Sequence, residues 1–193
     1  MDRDKLASVL AQPYALFVEE QKNYGQEAEE WEAPLLTNGF MLSLTTATAY
    51  RLQSPVLLCD ALIQREVLSL ERRSVVELCL HEAVANAIIH GNLEISSSAK
   101  DHPEGHRVFS QMVNEQLRKP ELCRRRVTLF ASWNEDGLEV GVIDQGLGFN
   151  VSALPTSANN NARSGRGFIF MKALASSVRV SNGGRCTTLR FAP

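Results

Sequence analysis

Two stretches, 126–133 (RVTLFASW) and 138–143 (LEVGVI), alternate apolar and polar side chains and flank Asn134-Glu135-Asp136-Gly137. Alternation of period two reads as a half-buried strand. An Asp-Gly corner between two such runs is a hairpin turn. The chain is thereby committed to an antiparallel pair. Stretches 40–46 (FMLSLTT), 177–181 and 187–191 add further strands. Between and before them the period is helical. Over 71–90, Val76, Leu80, Ala83 and Ala87, with Val84 and Ile88, recur at spacings of three and four. A second helical stretch covers 47–68, and Ser54 before Pro55 predicts a late start or a kink there. Shorter helices are expected at 108–117 and 167–175. This order predicts the α+β class: a two-layer sandwich, its mixed, mostly antiparallel sheet carrying helices on one face.

At 193 residues and 44% apolar content the chain can bury one sizeable core. Residues 37–193 hold all of the pattern above and are read as one domain. Residues 1–36 are set apart as an N-terminal acidic helical extension. Helical spacing over 4–17 is broken by Pro13, and an acidic run (QEAEEWE) follows at 26–32. A solvated helix is the plain reading, and a partner-binding arm anchored by Trp31 the sharper one. Lys and Arg number 20 against 22 Asp and Glu, a net charge of -2, so direct nucleic-acid binding is not expected. No run approaches eighteen apolar residues, and the opening MDRDKLASVLAQPY lacks the apolar core of a secretion signal. The expectation is a cytoplasmic protein with no membrane span. Its four scattered cysteines, Cys59, Cys79, Cys123 and Cys186, read as reduced thiols.

Three islands carry chemistry. In the first, Glu82, Asn86 and His90 are four apart and share a helical face. A carboxamide oxygen suits a hard cation such as Mg²⁺, and a carboxylate one turn away can take a proton from a nucleophile. A solvated polar stripe is the competing reading. Ala85 stands where a zinc H-E-x-x-H box needs its second His. In the second, an apolar strand ends at Asp144, followed by Gly146 and Gly148. A carboxylate only accepts hydrogen bonds, so it can read an exocyclic amino group, as on adenine. The competing reading is a plain turn. In the third, Gly165-Arg166-Gly167-Phe168 opens a helix, where free N–H groups form an anion site and Arg163 and Arg166 add charge. Residues 150–164, rich in Ser, Asn, Ala and Pro, read as a loop.

These islands come in a fixed order: E-x-x-x-N on a helix, D-x-G-x-G after a strand, a polar loop, G-x-G at a helix start, then Thr-Thr on a last strand. The order resembles the GHKL ATPase superfamily, which has the Bergerat ATP-binding fold. The closest resemblance is to the bacterial anti-sigma-factor serine/threonine kinases. It is carried by ELCLHEAVANAIIHGN at 77–92, VIDQGLGF at 142–149 and SGRGFIFM at 164–171. The resemblance implies ATP and Mg²⁺ as cofactors and Glu82 as the general base. It implies Asn86 as the Mg²⁺ ligand, and Asp144 as the adenine-binding acid with Gly146 and Gly148 beside the nucleotide. It further implies 150–164 as a lid, Gly165 and Gly167 as its hinge, Arg163, Arg166 and Phe168 beside the nucleotide, and Thr187 near the adenine. Cys186 stands where the family usually has glycine.

The function implied is an ATP-dependent protein serine/threonine kinase that phosphorylates a STAS-domain anti-anti-sigma protein. A sigma factor or a PP2C-type phosphatase is a further partner in that family, which often forms homodimers. Two alternatives stand beside it: a non-enzymatic ATP-gated adaptor, and a detached histidine-kinase catalytic domain. All four histidines, His81, His90, His102 and His106, follow residue 80, so the N-terminal helices hold no acceptor His.

Overall fold

The computed structural model describes residues 2–11, 16–20, 38–96, 105–149 and 166–193. In chain order these form α1 (Arg3–Leu10), β1 (Leu16–Val18), β2 (Gly39–Thr45), α2 (Thr46–Arg51), α3 (Ser54–Gln64) and α4 (Leu70–Ala85). A π-helical turn (Asn86–Asn92), α5 (Gly105–Gln116), α6 (Pro120–Cys123), β3 (Arg126–Asn134) and β4 (Gly137–Asp144) follow. The last elements are α7 (Arg166–Leu174), β5 (Ser177–Ser181) and β6 (Cys186–Phe191).

The six strands form one sheet in the order β1-β2-β3-β4-β6-β5. Only β1 and β2 run parallel; every other pair is antiparallel. The expected hairpin is present, with Asn134 paired to Gly137 and Val127 to Asp144. Core residues alternate along the strands: Leu42 and Leu44, Val127, Leu129 and Ala131, then Leu138, Val140 and Val142. They pack with Leu58 and Leu62 of α3 and Val76, Leu80 and Ala83 of α4. One sheet face therefore carries the helices, the predicted α+β sandwich.

One expected break and two local differences from the sequence reading have physical causes. The helical stretch over 47–68 divides at the expected place into α2 and α3. Gln53 between them takes a left-handed φ of 49°, and Pro55 follows in the first turn of α3. The long helix over 71–90 keeps α winding only to Ala85, and continues as the π turn. The helical spacing over 4–17 yields a helix only to Leu10, after which Leu16-Phe17-Val18 forms an edge strand.

Of residues 1–36, the described stretches pack on the rest of the chain. Leu6 and Leu10 of α1 are buried in the core, and α1 packs on α3. Just after β1, Glu19 receives the Thr45 N–H and the Thr48 hydroxyl, each at 2.7 Å. It thereby caps α2 beside the Thr45 side chain, which accepts from Thr48 N–H. Glu19→Ala is expected to lower stability by about 1–2 kcal/mol, the usual loss for a helix cap, read as the urea midpoint at unchanged slope. The acidic run at 26–32, with Trp31, lies outside the described residues.

Candidate functional site

The site is assembled where the end of α4, the exit of β4 and the start of α7 meet. Leu80, Ala83, Val84, Ala87 and Ile88 are buried, which turns Glu82 and Asn86 to a half-buried face between core and solvent. Asn86 is the first residue of the π turn. There the backbone closes with i→i+5 bonds, such as Leu93 N–H to the Ile88 carbonyl at 2.8 Å. Single π turns within α-helices concentrate at functional sites.

The third island meets the first at this point. A methyl group built on Gly167 would collide with the Glu82 carboxylate. Glycine lets the first turn of α7 lie directly on that side chain, and a larger residue would push the carboxylate aside. The helix start, with its positive dipole end, is brought to the carboxylate expected to act as base.

The second island meets the π turn in the same way. Asp144 ends β4 and is 9% exposed. Its Oδ1 accepts the Gly146 N–H at 2.8 Å, the only hydrogen-bond donor to this carboxylate among the described residues. A methyl group on Gly91 would stand 2.6 Å from Asp144 Cγ and Oδ1, and one on Gly146 would strike the Gly91 carbonyl. Two glycine backbones thus form a cradle around one carboxylate. Burial pushes the Asp144 carboxyl up to about 6 from an ordinary 3.8, against the pull of the Gly146 hydrogen bond and the Arg185 and Arg125 charges. Gly146→Ala drives a Cβ into backbone, which cannot step aside. It is expected to lose about 1–3 kcal/mol of stability and at least tenfold in ATP affinity, read by urea melt and titration calorimetry.

The other expected residues divide. Thr187 pairs with Val142, two residues before Asp144, and so projects from the sheet face that bears Asp144. Gly148 holds a φ of 74° and abuts the Gly183 carbonyl, which also accepts the Phe149 N–H at 3.2 Å. Its contacts are thus to the β5–β6 connection. Arg166 is exposed as the first residue of α7. Phe168 is 6% exposed and packs in the core, with Lys172 Nζ 5.1 Å from its ring centroid. It thereby seats the first turn of α7. Arg163, Gly165 and the lid over 150–164 lie outside the described residues.

His90, on the expected polar stripe, is tied down locally, its Nδ1 2.5 Å from the Ile95 carbonyl. His81 lies half-exposed beside Glu77, 3.9 Å away. Neither lines the carboxylate cradle. Among the described residues no three His, Cys, Asp or Glu side chains gather to hold a metal ion. Asn86 provides one neutral oxygen, which fits a hard cation that keeps water and phosphate oxygens as its other ligands. No helix among the described residues is long and apolar enough to cross a membrane.

Two residues were not singled out from sequence. Gly91 backs the Asp144 carboxylate, and Asn92 is buried behind it with a fully engaged side chain. Both stand at the end of the 77–92 stretch, and the partners that define them lie far away in sequence.

No curated protein matches the chain. A family model does, that of the histidine kinase-like ATPase domain, over residues 46–192. Its match begins at the first residue of α2 and takes in the Glu82–Asn86 helix, the Asp144 cradle and the start of α7. With most of its length matched and its three polar islands brought together on one open α+β sheet, the chain belongs to the histidine kinase-like ATPase domain family.

Proposed function

We propose that this ATP-binding domain is a cytoplasmic protein serine/threonine kinase of the anti-sigma-factor type. Its substrate is a STAS-domain anti-anti-sigma protein, and a sigma factor or PP2C-type phosphatase is its further partner, with a homodimer as the working unit. ATP with Mg²⁺, when bound, supplies the phosphoryl group and neutralises its charge, and positioning does most of the remaining work in such transfers. Asp144 accepts from the adenine amino group within the Gly91–Gly146 cradle. Asn86 offers its carboxamide oxygen to the cation. Glu82 takes the proton of the incoming Ser or Thr hydroxyl, as a general base would. The start of α7 presents N–H groups to the phosphates and shields Glu82 from water.

The observation that carries this reading is the seating of Gly167 on the Glu82 carboxylate. An adaptor that only binds ATP has no need of a carboxylate held under the phosphate-facing helix. The test uses γ-labelled ATP and Mg²⁺ with purified protein in dialysed lysate of the source organism. An acid-stable labelled band, absent with Glu82→Ala, supports the kinase, and mass spectrometry then identifies the substrate. An acid-labile, alkali-stable band moves the reading to histidine phosphorylation. ATP binding without transfer moves it to the adaptor.

A further inference from the structure

Asn92 closes the π turn and is 0% exposed. A carboxamide carries two N–H donors and one acceptor oxygen. Here Oδ1 accepts the Gln145 N–H at 2.7 Å. Nδ2 donates to Thr46 Oγ1 at 2.8 Å and to the Arg126 carbonyl at 2.9 Å. The Asn92 carbonyl accepts from Arg125 Nη1 at 2.8 Å. One residue thus joins the π turn, the first residue of α2, the first residue of β3 and the residue that follows β4. A buried polar network satisfied to this extent fixes its geometry, because each broken bond strands a desolvated partner.

The Gln145 N–H belongs to the peptide that leaves Asp144. Holding it sets the direction of the turn in which Gly146 N–H reaches Asp144 Oδ1. Gly91, the neighbour of Asn92, backs the same carboxylate. The Gln145 side chain adds a second clip by accepting the Arg126 N–H at 2.5 Å. Among the described residues no ion pair holds the Asp144 carboxylate, so its aim depends on this backbone scaffold.

We propose that Asn92 is a positioning residue for purine recognition: by clipping the Gln145 amide to the π turn it aims the Asp144 carboxylate at the amino group of adenine. It therefore sets the preference for ATP over a triphosphate whose purine lacks that group. The inference rests on the reading of Asp144 as the adenine contact.

Titration calorimetry of the full chain at pH 8 tests it, with ATP and with purine riboside triphosphate, which is ATP without the 6-amino group. Wild type is expected to prefer ATP at least tenfold. Asn92→Ala is expected to weaken ATP at least tenfold and the analogue less than threefold. In an Asp144→Ala background the same change is expected to alter ATP affinity less than threefold, the mark of two residues acting as one. Equal loss of both nucleotides in Asn92→Ala, or additive losses in the double variant, would overturn the proposal alone. A wild type that binds ATP without preferring it would overturn the Asp144 reading, and the proposal with it. Asn92→Asp covers the case in which the alanine variant does not fold. It keeps an oxygen for the Gln145 N–H, has the Arg125 guanidinium beside its backbone, and gives up both donations, to Thr46 Oγ1 and to the Arg126 carbonyl. It is expected to retain the ATP preference within threefold, and loss of that preference would also overturn the proposal.

Discussion

Glu82→Ala is expected to bind ATP within about threefold of wild type and to transfer phosphate about 10²- to 10⁴-fold more slowly, the span of general-base catalysis. The two halves of this expectation come from different parts of the site. Adenine recognition is assigned to Asp144, cradled between Gly91 and Gly146. Glu82 lies elsewhere, on the α4 face beneath Gly167. Truncating it removes a proton acceptor and leaves the cradle intact. Single-turnover transfer beside calorimetry separates the two. A variant that transferred normally would remove Glu82 from the chemistry, and one that lost ATP would make it a binding residue.

Asp144→Asn should move binding and stability in opposite directions. The amide cannot match the charged acceptor, so ATP affinity is expected to fall by about 10- to 100-fold, or about 1–3 kcal/mol. The nucleotide-free protein is expected to gain stability at pH 8. The sign follows from linkage. Burial raises the carboxyl to about 6 in the folded chain from an ordinary 3.8. The folded chain therefore holds this proton more tightly than the unfolded one. The corresponding stability is complete below about pH 4 and is lost as pH rises through about 6. Removing the ionisable group lifts that loss, which a shift of this size puts at about 1–3 kcal/mol. Below pH 4 the two proteins should be alike in this respect. Wild-type ATP affinity should in turn decline as pH drops through about 6, a step that the variant lacks. Urea melts at pH 4 and 8, with calorimetry across the range, check each part. The residue assigned to adenine is thus one that the nucleotide-free protein holds at a loss, a known pattern at functional sites.

What could be read from the sequence follows the range of the forces involved. The hairpin was legible to within a residue, because period-two alternation and the Asp-Gly corner are local. The break between α2 and α3 was legible through Pro55. β1 was not: it is three residues long, with Leu16 and Val18 exposed at an edge, so it leaves no alternating signature. The π turn was not legible either, since one turn is too short for spacings of three and four to reveal a fifth residue. Glu82, Asn86 and Asp144 were marked by residue type and order. Their supports, Gly91 and Asn92, were not. What defines Asn92 is its set of partners at positions 46, 126 and 145, which no local pattern encodes. Phe168 was marked by its place in a motif, and its burial in the core was not marked with it.

The π turn also ties this site to the local winding of the backbone. A π turn takes one residue more than an α turn to close. That extra residue sets the angular phase at which Gly91 and Asn92 arrive, after Glu82 and Asn86 have been placed by ordinary α winding. Relaxing the segment to α winding at its present length would swing everything after it by roughly 100° about the helix axis, one residue's rotation. Gly91 would leave the Asp144 carboxylate and Asn92 would leave the Gln145 amide, although neither had been substituted. Replacing Ala87 or Ile89 by a residue of similar bulk preserves that phase. Deleting one residue within 87–90 would offset that swing, so a variant one residue shorter here could close the segment with ordinary α winding and keep the same two residues facing the same partners.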